Sequence, residues 1–260
     1  VASRLVRSLR RRRGPYPISI SAAHSYRHAA QPVEGVETFD TEAASRLNRA
    51  RMQHLDSLGL PLAGRTVVDV GCGVGHLAQF FAAKGCDVLC LDARSENIER
   101  LQQLYPGCKA DVLDLERGAL AALGPFDVVF AYGLLYHLEN PYLAIQKLAS
   151  ASRGLVILET IVADHELPLV RMDEETATFS QAVQGVGCRP TPSFVALALR
   201  EAGIPHVYAP RIVPDHEDFR FEWRNDLGWA RDGHPLRCMF VGSREPLGNP
   251  NLVEVWEDAS

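Results

Sequence analysis

Between Thr66 and Thr160, short apolar runs and helix-patterned stretches follow one another. TVVDV (66–70), DVLCLD (87–92), CKADVLD (108–114), FDVVFAYG (126–133) and GLVILET (154–160) read as strands. HLAQFFAAK (76–84), SENIERLQQLY (95–105) and NPYLAIQKLASAS (140–152) show helical spacing between them. Strands apolar on both faces must be covered on both sides, and an intervening helix returns the chain so that the next strand runs parallel. One more unit, PSFVALALREAG (192–203) and IPHVYAP (204–210), continues the rhythm, whereas LRCMFVGSR (236–244) follows no long helix and is expected to run antiparallel. The pattern predicts an α/β, doubly wound, seven-stranded and mostly parallel sheet with one antiparallel strand.

Local signals set the boundaries. Ala44, Leu47, Met52, Leu55 and Leu58 recur at helical steps, with Asp40 or Thr41 as the cap and Gly59 as the stop. Ser95 reads as an N-cap and Pro141 as a first helical residue. Residues 1–40 read as a basic, flexible segment and 41–260 as the folded domain. Two stretches, 161–191 and 210–235, have weak periodicity and are rich in acids, Gly, Pro, His and Trp. Long irregular stretches in a compact domain commonly carry function, so both are expected to cover a pocket at the carboxyl edge of the sheet.

Charge narrows the partners. The formal net charge is −5, but residues 1–13 hold six arginines and no acid. The remainder carries 21 basic against 32 acidic side chains. Such a body is a poor match for a phosphate backbone, which makes nucleic acid an unfavoured partner. The Arg-rich start suits a solvated tail, an organellar transit segment, or a contact with an acidic protein or lipid surface. No run approaches the roughly 18 apolar residues of a membrane span. The six cysteines form no CxxC pattern, so reduced thiols and a cytoplasmic setting are expected, with no structural metal.

The turn after the first strand is the sharpest signal. Gly71, Gly73 and Gly75 alternate in DVGCGVGH, and glycine lets a ligand lie against bare backbone at a strand's carboxyl end. A dinucleotide fold would need GxGxxG, but His76 stands where the third glycine belongs. No GxxxxGK[ST] string occurs near this turn. DVGCGVG resembles the first motif of class I S-adenosylmethionine-dependent methyltransferases, and the resemblance runs in order along residues 64–160. It implies a Rossmann-like fold and S-adenosyl-L-methionine as cofactor.

The resemblance also implies roles. Asp92 ends the second strand, where the family keeps an acid for the ribose hydroxyls, and a carboxylate can accept two hydrogen bonds from a cis-diol. Asp111, with Val112, stands where the adenine is met, unless Asp114 takes that place. Asp69 is expected at the amino-acid moiety or on loop amides, and Tyr132 at the methionine or in packing. GLLYHLENP followed by VILET is similar to the bacterial tRNA wobble-uridine carboxymethyltransferases, in which the LYH tyrosine helps bind the extra carboxylate of their cofactor. Tyr136 matches that tyrosine, although the acidic body departs from the group's long basic region.

Methyl transfer is an in-line displacement in which the protein supplies alignment and, for an alcohol or phenol, a base. His137 is the candidate base, or else a holder of its loop; Tyr136 is a substrate contact or a packing aromatic. Glu159 ends the fifth strand at the same edge, and Arg189 is a candidate clamp for an anionic substrate or a solvated loop residue. Trp223 and Trp229 line an acceptor pocket or anchor their loop. His165, His216 and His234 with Asp164, Asp215 and Glu217 lack metal-ligand spacing. Methylation of a small-molecule or sugar-like acceptor is expected, at oxygen in preference to nitrogen. The rivals are a tRNA-modifying methyl- or carboxymethyltransferase and a non-catalytic cofactor-binding partner subunit.

Overall fold

The computed structural model describes residues 35–174, 183 and 185–255; the Arg-rich segment lies outside the described residues. Five parallel strands form the larger part of the main sheet. They are β1 (Thr66–Val70), β2 (Asp87–Asp92), β3 (Lys109–Val112), β4 (Phe126–Tyr132) and β5 (Ser152–Ile161). A hairpin of β6 (Val170–Glu174) and β7 (Val186–Pro190) follows. Next come β8 (His206–Pro210), a bridge of β9 (Ala230–Arg231) with β10 (His234–Pro235), β11 (Arg237–Ser243) and β12 (Leu252–Glu254). The main sheet has eight strands in the order β12-β8-β11-β5-β4-β1-β2-β3. β11 runs antiparallel to both β5 and β8, and β12 antiparallel to β8.

The α/β, mostly parallel architecture matches the sequence expectation, with one more strand than the seven expected and a second antiparallel one. The extra strand, β12, is a three-residue edge segment, too short to show a period of two. The stretch 161–191 also differs from a bare loop, because β6 and β7 pair within it. Its alternation is weak because the hairpin stands apart from the main sheet and most of β6 is half-exposed or exposed.

Helices cover both faces. They are α1 (Glu42–Ser57), α2 (Ala78–Ala82), α3 (Ser95–Leu104), α4 (Pro141–Ala151) and α5 (Pro192–Glu201). Alternate residues of the parallel strands point to opposite sides. Val68, Val129 and Val156 pack with Ile145 and Leu148 of α4 and Leu199 of α5. Val67, Phe130 and Ile157 pack with Leu55 of α1 and Phe81 of α2. The fully buried Phe81 and Phe130 rings lie 4.9 Å apart. Side chains of this size each contribute about 1.5–3 kcal/mol on full burial.

Caps explain where the helices start. Thr41 accepts from the Ala44 N–H, Asn140 from Leu143 with Pro141 at N1, and Thr191 from Phe194 with Pro192 at N1. Ser95 lies one residue inside its helix, and Arg94 occupies the cap position. The second helix is shorter than the sequence suggests, because the backbone through Leu77 is still leaving the glycine turn. Residues Gly35–Asp40, which the sequence assigns to the segment before the domain, form a 3-10 helix in contact with α1 and α3.

Candidate cofactor and acceptor site

Strand order reverses between β1 and β4, which opens a crevice at their carboxyl ends. The glycine turn lies at its mouth and is tied to β2, with the Gly71 and Cys72 amides donating to the Leu91 carbonyl at 2.7 and 3.0 Å. Gly71, Gly73 and Gly75 all have left-handed backbones, with φ of +74°, +55° and +82°. A Cβ would also meet side chains within 2.6–2.8 Å: Leu134 at Gly71, Phe39 at Gly73 and Leu101 at Gly75. The bareness of the turn is thus required partly by the chain's own folding, a requirement the sequence motif alone does not reveal.

Two acids flank the turn in different states. Asp92 Oδ2 accepts from the Gly73 amide at 2.9 Å, and Oδ1 accepts from the Arg94 amide and Asn97 Nδ2 at 3.0 Å each. Asp69 is 2 % exposed, and its Oδ2 has no hydrogen-bond partner among the described residues. Burial, reinforced by the Asp92 charge, raises the Asp69 pKa to about 8. Tyr132 ends β4 with a buried hydroxyl that likewise lacks a partner, and burial pushes its pKa well up. Asp111 and Val112 stand exposed at the end of β3, with Val112 in register with Asp92.

Beyond β4 and β5 lies a buried ionic cluster assembled from distant parts of the chain. Glu159, 1 % exposed, accepts from Arg51 of α1 at 2.5 Å and from Arg237 of β11 at 3.0 Å. The Nε of Arg237 donates to Asp218 at 3.0 Å, and His234 lies 3.3 Å from the same carboxylate. Burial opposes the Arg237 charge, but Tyr136, Glu159 and Asp218 outweigh it and hold the guanidinium protonated. The Tyr136 ring is flanked by the Arg189 and Arg237 guanidinium carbons at 5.6 and 5.3 Å. Arg189 donates to the Tyr136 carbonyl at 3.0 Å and lies 4.9 Å from the Trp229 ring centroid. His137 packs beside Tyr136 with ring centroids 4.1 Å apart.

The structure sets Asp69, Gly71, Gly73, Gly75 and Asp92 around the glycine turn, with Tyr132 beside Arg51 and Glu159, and Tyr136, His137 and Arg189 near that ionic cluster. Trp223 is instead 53 % exposed and packs on Phe221. Arg51, Arg237 and Asp218 complete the cluster; Asp218 belongs to the acidic run 215–218, which the sequence reads as a solvated loop but which the structure buries at His216 and Asp218. The other two left a trace: Arg51 shares a helical face with the buried His54 and Leu55, and Arg237 opens an apolar strand.

The acidic and histidine residues of the two long stretches serve the chain itself. Asp164 accepts from the Arg224 and Asn225 amides at 2.6 and 3.0 Å and pairs with Arg231 at 2.5 Å, which fixes the 224–231 turn. Glu217 pairs with Arg46, which lowers its pKa to about 2, and the exposed Asp215 pairs with Arg220 at 2.7 Å. Among the described residues no group of three or more His, Cys, Asp and Glu is placed to hold a metal ion. The six cysteines are free thiols. No described helix is long and apolar enough to cross a membrane.

Comparison with known proteins agrees with this geometry. Residues 39–205 match the family model described as a methyltransferase domain. A tRNA U34 carboxymethyltransferase of Serratia proteamaculans is 36% identical over 208 residues, covering 72% of this chain and 63% of the relative. A ubiquinone biosynthesis O-methyltransferase of Pectobacterium atrosepticum is 34% identical over 122 residues, covering 45% of this chain and 51% of the relative. The chain thus spans about half to just under two thirds of the length of these curated relatives. Among solved structures, the N-terminal domain of EvdMO1 with SAH bound superposes with a TM-score of 0.57 at 18% identity, over 78% of this chain and 84% of that one. Magnesium protoporphyrin IX methyltransferase from Synechocystis PCC 6803 with bound SAH gives 0.52 at 18% identity, over 84% and 90%. With its matched domain, its strand order and its glycine turn, the chain belongs to the class I S-adenosylmethionine-dependent methyltransferases.

Proposed function

We propose that the chain transfers a methyl group from S-adenosylmethionine to a small-molecule or sugar-like acceptor, at oxygen. The observation that carries the cofactor reading is Asp69. A fully buried carboxylate oxygen with no partner is costly unless a donor arrives, and the ammonium of an amino-acid moiety is such a donor. The unpartnered Tyr132 hydroxyl offers a second contact at the same crevice. Asp92 keeps lone-pair capacity beyond its three donors and would take the ribose hydroxyls, with Asp111 and Val112 at the adenine.

When bound, the cofactor supplies an electrophilic methyl on a sulfonium. The chain's part is alignment and exclusion of water. Tyr136, fixed through its carbonyl by Arg189 and flanked by Arg237, would contact the acceptor. His137 beside it would accept the proton of the acceptor hydroxyl on its imidazole. The matched ubiquinone biosynthesis O-methyltransferase favours oxygen as the methylated atom.

A second reading is tRNA modification. It is favoured by the 36% identity to a tRNA U34 carboxymethyltransferase and by Tyr136, which matches the tyrosine of that group's LYH motif. The net charge of −5 weighs against an RNA acceptor. One experiment separates the two: label transfer from methyl-labelled cofactor into pooled metabolites and into unmodified tRNA. Label in metabolites supports the first reading, and label in tRNA replaces it with the second. Binding is tested by calorimetry with S-adenosylhomocysteine, for which Asp92→Asn should weaken affinity by roughly tenfold to a hundredfold, as expected for lost hydrogen bonds to a charged group. Unchanged affinity in that variant would remove Asp92 from the site.

A further inference from the structure

The segment Gly35–Asp40 lies against the glycine turn at two points. The Phe39 ring occupies the space beside Gly73, with its Cε1 2.6 Å from where a Cβ would stand. The Asp40 carboxylate bridges His76 Nε2 at 2.9 Å and Arg100 Nη2 at 3.4 Å. His76 follows the third glycine directly, and its other nitrogen, Nδ1, lies 2.9 Å from the Tyr105 hydroxyl. The residue that departs from the dinucleotide motif therefore serves as an anchor for a piece of chain lying over the turn. The His76 hydrogen bond also holds the Asp40 carboxyl below its usual range.

The fastening and the helix that follows it differ in strength. Side chains of Asp40, His76 and Arg100 are 41%, 28% and 37% exposed, so their ion pairs are screened and individually weak. Beyond the Thr41 cap, α1 is anchored by the buried Arg51–Glu159 pair and by His54 bonded to the Ile212 carbonyl at 2.6 Å. The segment can thus swing out at Thr41 while α1 stays seated.

Resting on the cofactor reading above, we propose that Gly35–Asp40 is a hinged strap over the cofactor turn, fastened by Asp40 to His76 and Arg100. Phe39 and this latch are positioning residues that set how fast the cofactor and its product leave. Access to the turn from this side requires the Phe39 ring to move away from Gly73. The strap's closure holds a bound adenosyl amino acid and sheds water from it.

The test is the dissociation rate of S-adenosylhomocysteine from the full chain, measured by stopped-flow displacement. Asp40→Asn and His76→Gln should each accelerate release by about threefold to tenfold, the range of two weak ion contacts. Phe39→Ala should accelerate it further, with Phe39→Leu as the milder variant. Salt should speed release from the wild-type protein and leave Asp40→Asn little changed, a response that a merely structural role would not produce. Thermal melting of the ligand-free variants checks that the fold is kept. Binding by the wild-type protein with unchanged release in the latch variants overturns the strap alone. Slower release or tighter binding in those variants also overturns it, because the segment would then be an obstruction. No binding by the wild-type protein removes the cofactor reading and the strap together.

Discussion

Asp69 and Glu159 are both buried carboxylates near the carboxyl edge of one sheet, at 2 % and 1 % exposure, yet their surroundings are opposite. Glu159 receives two guanidiniums, from Arg51 and Arg237. Asp69 is left with an unpartnered oxygen and faces the charge of a second acid, Asp92. Within the Glu159 cluster both carboxylate oxygens are paired, although Arg51 Nε is buried without a partner among the described residues. On the reading proposed above, a bound ligand would supply the donor that Asp69 lacks.

The largest test of this contrast is Glu159→Gln. It leaves two buried guanidiniums around a neutral amide, and breaking a buried pair in this way costs about 3–5 kcal/mol. Urea unfolding should show that loss; a loss below 1 kcal/mol would mean that the cluster is looser than its geometry.

Next in size is the pH response of Asp69. Its folded pKa of about 8 lies above that of a free carboxyl, so the folded state favours the protonated form. The stability it contributes is complete below the ordinary carboxylate range, about 3.9, and is lost as pH rises towards 8. Asp69→Asn does not titrate. The ligand-free wild type should therefore lose stability relative to the variant between about pH 4 and 8 and run parallel to it above, as denaturation midpoints across that range would show. Saturating S-adenosylhomocysteine should shrink the difference, since its ammonium favours the charged carboxylate. If the ligand left the gap untouched, Asp69 would belong to the scaffold, like Glu159.

The smallest expected effect is that of Gly75→Ala. A left-handed backbone at φ +82° costs a non-glycine residue about 1–2 kcal/mol, and the new methyl also meets Leu101. The melting temperature should fall by a few degrees and S-adenosylhomocysteine affinity should weaken with it. A loss of affinity alone would show that the glycine serves the ligand rather than the turn.

The cofactor half was legible because its chemistry is local. Asp69, the three glycines and Asp92 fall within two strands and a turn, and such a turn needs particular residues in sequence order. The ionic cluster around Glu159 was legible only in fragments. Tyr136 and His137 lie in the 3-10 turn after β4 and Glu159 near the end of β5, where sequence could single them out, while Arg51 and Arg237 come from a helix and an antiparallel strand. Nothing in their spacing links residues 51, 159 and 237. Likewise, Phe39 and Asp40 precede the first recognisable helix, so their pattern gives no hint that they reach Gly73 and His76.

The amino-acid order by itself determined the parallel αβ rhythm, the helix starts at Thr41 and Pro141, and the bare turn, since each depends on periodicity or on the backbone preferences of single residues. Tertiary structure alone decided which buried charges are paired and that Asp69 keeps an unpartnered oxygen. It also decided the eighth strand, the β6–β7 hairpin and the strap over the turn. The physical reason is distance: hydrogen bonds and ion pairs act over a few ångströms, and only folding brings residues a hundred positions apart within that reach.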